Sequence, residues 1–318
     1  MLSYKENVKE IIWDYPNFSW KCYDYASSDL NEEYNNIYLF AQENLLRDIS
    51  GYGTNKAKFF FVDSDSINAR GGWAYGLGFV SINRGLIESL HSSLLSEKSL
   101  IQNISLKGYA FDFNINRFLF DFTTHFIYYH ELTHVIQHRH SKAANYNEIQ
   151  AETQDNEFNI ESHLREFDAD FYATHFLALI ILRHWKYLLN IGSINITLNQ
   201  IVEISIAAII FYFSKLVPDM NVFYIRDKQH PHPIIRIIRI SEGIVGNINK
   251  NSSFNLNKRE IVDNAFKLFY NMQSITKLPD KQSSVINLIT LHEKEIASYY
   301  EEIQKAQKTY PNLVTSPI

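Results

Sequence analysis

The segment YYHELTHVIQHRH, residues 128–140, constrains this chain more than any other stretch. His130, Glu131 and His134 form an HExxH pattern inside an apolar run, and positions i and i+4 of a helix lie one above the other. A helix here offers two imidazoles to one tetrahedral ion. Its apolar neighbours Phe126, Ile127, Val135 and Ile136 require it to be buried. Glu131 is rotated about 100° from His130, so it reaches a water at the ion rather than the ion itself. Zinc lowers the pKa of such a water toward about 7, and Glu131 is placed to take its proton as general base.

A catalytic zinc takes a third protein ligand and keeps one position open. His140 lies six residues after His134, but the metzincin spacing needs a glycine turn where this chain has Gln137. A helical His140 points about 240° away from the face of His134. His138 continues that face, yet three consecutive ligands on one straight helix cannot surround an ion. The alternative lies in REFDADFYATHF, where Glu166 and Asp170 share a helical face, Asp168 points elsewhere, and Ala169 and Ala173 permit close packing. Glu166 is the expected third ligand. Asp170, one turn on, is expected to accept the free ring N–H of a zinc histidine. Glu152, Glu157 and Glu161 remain alternatives for the ligand.

The 318 residues are 46% hydrophobic and 20% charged, a globular composition. A net charge of −5 without a Lys/Arg cluster argues against a nucleic-acid partner. The single cysteine, Cys22, excludes an intramolecular disulfide and fits a reducing cytosol. No apolar h-region follows a basic n-region at the start, so no signal peptide is read. The most apolar run, 201–217, carries Glu203 and Lys215 and falls short of the roughly 20 residues of a membrane span. It is expected to be a buried helix, without stable membrane insertion.

Periodicity predicts helices over 31–49, 85–95, 113–142, 161–190, 198–216, 259–274 and 283–308, and strands over 57–65 and Gly78–Asn83. A glycine-rich loop is expected before Gly78, polar loops over 145–159 and 226–236, and a linker over 249–260. Strands early and helices later give an α+β class, mostly helical.

HELTH followed by EFDAD resembles the HExxH…ExxAD arrangement of the gluzincin metallopeptidases, particularly the family of the CAAX prenyl protease and the heat-shock membrane protease HtpX. NARGGWAYGLGFVSINRGLIESL is similar to that family's Asn-Ala segment leading into the active-site edge strand, and QHPHPIIRI to its His-Pro segment followed by an arginine. The four motifs run in order across 68–237. The chain lacks the membrane helices of the family's embedded members, and in this it resembles the soluble phage-exclusion proteases of the Lit type.

The resemblance implies a zincin-like catalytic domain over 57–248, flanked by an N-terminal helical region, 1–56, and a C-terminal helical extension, 249–318. It implies one zinc per chain on His130, His134 and Glu166, and Glu131 as base. A histidine of the HPHP segment, His230 or His232, would sit near the oxyanion, and Arg236 would anchor the loop through Asp170 or another carboxylate. An extended peptide would add along the edge strand Phe79, Val80, Ser81, Ile82 and Asn83. The expected function is a soluble, cytoplasmic zinc endopeptidase acting on a protein substrate, in phage defence or as a toxin or effector delivered to a host cytosol. The alternative is a zinc-stabilised, non-catalytic protein-binding scaffold. Intact Glu131 argues against it, because a structural site needs no base and closes its fourth position.

Overall fold

Phe59, Phe60 and Phe61 send apolar rings to both faces of one strand, which must therefore be covered on both sides. The computed structural model describes residues 2–15, 20–52, 56–95, 114–138, 158–192, 196–216, 223–275 and 289–310. The chain divides into two compact units, residues 1–89 with 127–156, and residues 90–126 with 157–318. The class is α+β, mostly helical with one three-stranded sheet among the described residues.

In the first unit, helix α1, Tyr4–Asp14, opens with a capping box in which Ser3 and Glu6 satisfy each other's backbone N–H. Helix α2, Asn31–Ser50, follows, then β1, Ala57–Val62, β2, Ala69–Ala74, and β3, Leu77–Asn83. The order is β1–β3–β2, with β3 parallel to β1 and antiparallel to β2. Tyr4, Tyr25 and Tyr34 pack around Phe61. The Tyr4 hydroxyl donates to Tyr23 O at 2.9 Å and accepts from Phe61 N at 3.1 Å. Residues 21–23 cover the outer side of β1, through Tyr23 N to Phe61 O at 2.9 Å and Asp63 N to Lys21 O at 2.8 Å. Helix α3, Arg84–Leu90, continues directly from β3 into a π-type turn, His91–Leu95.

Two expectations change here. The predicted glycine-rich loop is strand β2, joined to β3 by the two residues Tyr75 and Gly76 at φ 53° and 78°. Positive φ at both positions suits the right-handed twist of a two-residue hairpin. The expected edge strand Phe79–Asn83 is instead the central strand, paired on both sides, so its main chain is already used. Among the described residues, the flank of the sheet with no further strand belongs to β2, which contains the Asn-Ala-Arg segment's Ala69 and Arg70.

Helix α4, Ile115–Gln137, contributes 127–137 to the first unit and 115–126 to the second. In the first, Tyr128 meets Phe40 and Phe59 edge-on or tilted, which seats the HELTH turns on α2 and the sheet. The expected continuation of this helix to residue 142, the loop 145–159 up to residue 157, and His140, Glu152 and Glu157 lie outside the described residues.

The second unit is helical among its described residues: α5, Ile160–Asn190, α6, Leu198–Leu216, α7, Pro233–Asn251, α8, Lys258–Ile275, and α9, Glu293–Gln307. Helix α6 is long and apolar enough to cross a membrane, but 78% of its apolar window is buried in the fold. Its Glu203 accepts from Asn264 Nδ2 of α8 at 2.9 Å. Helix α7 was not expected. Proline 233 reads as a loop signal, yet at the first helical position it lacks only an N–H that would be unsatisfied anyway. Helices α5 and α7 meet at Gly243, where an added Cβ would stand 2.6 Å from Thr174 Oγ1. Thr174 is buried and β-branched, with little room to yield.

Gly243→Ala is therefore expected to cost about 1–3 kcal/mol by overpacking. Urea denaturation should show this cost reduced when Thr174→Ala is combined with it. Full additivity of the two changes would show that the helices do not meet there.

Candidate metal centre

The last turns of α4 carry the histidine pair, and β2 is pinned along them. A Cβ on Gly71 would fall 1.7 Å from the carbonyl oxygen of Glu131, so only glycine lets the strand lie this close. One helical turn on, the Trp73 indole donates to Val135 O at 2.7 Å. The helix ends at Gln137, so Val135 O is among the last carbonyls, which have no partner within the helix. The strand supplies one.

His130 and His134 are one turn apart, with their Nε2 atoms 3.2 Å from each other. Two Zn–N bonds of about 2.0–2.1 Å at a tetrahedral angle place their nitrogens roughly 3.3–3.4 Å apart, so the pair already has the spacing one ion would require. His134 Nδ1 lies 2.9 Å from Gln137 Oε1. Glu131, between the two histidines in sequence, is buried.

The second unit gathers charge around Arg236 of α7. Its Nε and one terminal nitrogen donate to the two oxygens of Asp170, each at 2.8 Å, and its other terminal nitrogen lies 2.8 Å from Glu166 Oε2. Burial alone would lower the Arg236 pKa. Asp170 and Glu166 outweigh that and push it up, so the guanidinium stays charged. Two carboxylates thus share one guanidinium. The remaining oxygen of Glu166, Oε1, is 3.4 Å from His230 Nδ1.

Donor atoms of His130, His134 and Glu166 lie within 4.8 Å of one another, and this group could hold one metal ion. Two neutral imidazoles and a carboxylate form a donor set that suits zinc and other borderline divalent ions. His138 forms the turn after α4, its N–H bonded to His134 O at 3.1 Å, and Glu161 is ion-paired with Arg165; neither joins the group.

The histidines of the HPHP segment separate. His230 has a side chain 54% exposed beside Glu166. His232 is fully buried against Phe223 and Tyr224, where its Nδ1 accepts from Ile234 N at 3.1 Å as the N-cap of α7. The expected pairing of Arg236 with Asp170 is present. Both oxygens of Asp170 accept from Arg236, while Gln137 meets the outer ring nitrogen of His134.

Spacing gave no sign of the residues that hold the HPHP segment. His163 Nε2 lies 2.8 Å from Lys228 O and donates to it, which leaves Nδ1 to accept from the Tyr299 hydroxyl of α9. Arg226 pairs with Glu302 of the same helix. Leu164, Phe167, Ile225, Ile235, Tyr299 and Ile303 close a core around these bonds. Desolvation by burial lowers the His163 pKa, so the ring is held neutral.

Tyr299→Phe leaves His163 Nδ1 buried without its donor and is expected to cost about 1–3 kcal/mol in urea denaturation. A histidine whose folded pKa is depressed takes up its proton more readily when unfolded. Its contribution to stability is therefore lost as pH falls below the unfolded value of about 6.5. Melting temperatures from pH 7 down to pH 5 should fall less steeply for His163→Gln than for the wild type. Comparison with protein-family models, curated proteins and solved structures gave no match to this chain.

Proposed function

We propose that the chain is a zinc-dependent endopeptidase of the gluzincin kind, with His130, His134 and Glu166 as metal ligands. The observation that carries this reading is the pair of Nε2 atoms 3.2 Å apart, grouped with a buried carboxylate. A divalent ion there supplies Lewis acidity to a substrate carbonyl and to water.

The remaining roles belong to the chain's own groups. Glu131 follows a ligand histidine directly on the helix, where it accepts a proton from the attacking water and returns it to the leaving amine. Its carboxyl is the only acidic group between the two histidines in sequence. The flank of β2 receives an extended peptide by main-chain hydrogen bonds, because no other described strand pairs with it. Gly71 keeps that strand against the backbone of Glu131, so a peptide lying along β2 runs beside the base. His230, half exposed next to Glu166, is the HPHP histidine left to face substrate, since His232 is used as a helix cap. The substrate is a protein, and main-chain pairing reads little of its sequence, so side-chain pockets must set selectivity.

Purified protein is expected to contain about one zinc per chain. Glu131→Gln should retain the metal and abolish cleavage, and His134→Ala or Glu166→Gln should weaken metal retention. Terminal-peptide proteomics on lysate treated with wild type or Glu131→Gln reads both activity and substrate. Equal peptide ends from two metal-bearing proteins would point to a metal-stabilised binding scaffold instead.

A further inference from the structure

We propose that Gln137 is a positioning residue that fixes the tautomer of His134 and so aims its Nε2 lone pair at the metal. This rests on the metal site of the reading above and deepens it. The geometry lies within one helix. His134 and Gln137 are three residues apart on α4, with Nδ1 and Oε1 2.9 Å from each other.

A neutral imidazole carries one proton, on one nitrogen or the other. If Gln137 Oε1 accepts, that proton is on Nδ1, and Nε2 presents a lone pair toward His130 Nε2, 3.2 Å away. Turned over, the amide would donate an N–H to Nδ1 and force the ring proton onto Nε2, between the two imidazoles. A ligand nitrogen cannot carry that proton. Only one orientation of the amide is therefore compatible with a metal on this pair.

Burial makes the choice matter. Gln137 is 7% exposed, so its amide beside Nδ1 is largely shielded from bulk water. Partners on the outer nitrogen of a metal-binding histidine set its tautomer and ring orientation, and their loss typically costs 10–100-fold in metal affinity. Gln137 stands where a metzincin-type chain carries its turn glycine. The residue that excludes a third histidine here also orients the second.

The test uses the full-length chain and two substitutions. Gln137→Leu keeps the volume and removes the acceptor. Gln137→Glu offers only acceptor oxygens and cannot be turned over. Long-range proton–nitrogen spectra of the metal-free, histidine-labelled protein read the His134 tautomer, with the signal identified by its loss in His134→Ala. Zn2+ alone, titrated against a chromophoric chelator, reads affinity.

Wild type and Gln137→Glu are expected to hold the proton on Nδ1 and bind Zn2+ at least equally well. Gln137→Leu is expected to populate the other tautomer and bind about 10–100-fold more weakly. Wild-type tautomer and affinity in Gln137→Leu would overturn the proposal. So would a loss in Gln137→Glu as large as in Gln137→Leu, since that marks a packing role. If the wild type binds no Zn2+, the protease reading fails, and the tautomer spectra still decide this inference.

Discussion

Arg236, its side chain only 11% exposed between the buried Glu166 and Asp170, holds together features of the second unit that otherwise have no reason to coincide. Two carboxylates one turn apart on α5 repel, and burying them costs several kcal/mol per ion unless each is paired. The guanidinium meets one side by side with two donors and the other with a third, a geometry that lysine cannot reproduce. It also lies 4.8 Å over the Phe213 ring, so its remaining face is covered by an aromatic surface. Such a cluster adds little net stability compared with an apolar one, but it fixes where Glu166 points. One oxygen of Glu166 faces Arg236, and the other lies 3.4 Å from His230 Nδ1.

In the first unit the comparable constraint is steric. Strand β2 approaches α4 so closely that a single methyl at Gly71 would overlap a helix carbonyl. The Trp73 indole then fastens the strand one turn further along. The sheet and the HELTH turns thus form one rigid piece, in which the spacing of strand and helix depends on the absence of a side chain. Glu131 and the nearest strand share their placement for that reason.

Much of this was legible in the sequence. The HELTH helix, the long helix with Glu166 and Asp170, the apolar helix 198–216 and the strand at 57–62 follow from periodicity, because each buries one face or all of its surface. Spacing offers Glu166 as a third donor beside His130 and His134 but leaves Glu152, Glu157 and Glu161 open, and among the described residues Glu166 is the one grouped with the histidines. What escaped was conveyed by residues with two meanings. Gly71 and Gly72 read as loop, yet glycine also permits close strand packing. Pro233 reads as a break, yet it can also begin a helix. Gln137 reads as a missing glycine, yet its amide also meets His134. Contacts between distant segments, such as His163 with Tyr299, leave no periodic trace at all.

That last pair has a consequence for the order in which the protein matures. His163 is synthesised 136 residues before Tyr299, and the Lys228 carbonyl it also binds lies between them. A nascent chain that has reached only α7 already contains His130, His134, Glu166 and the whole HPHP segment. Its His163 ring can reach the Lys228 carbonyl but still lacks the Tyr299 hydroxyl on its other nitrogen, and Arg226 still lacks Glu302. The rest of the anchor, Tyr299 and Glu302, comes with α9, so those bonds form only late in synthesis.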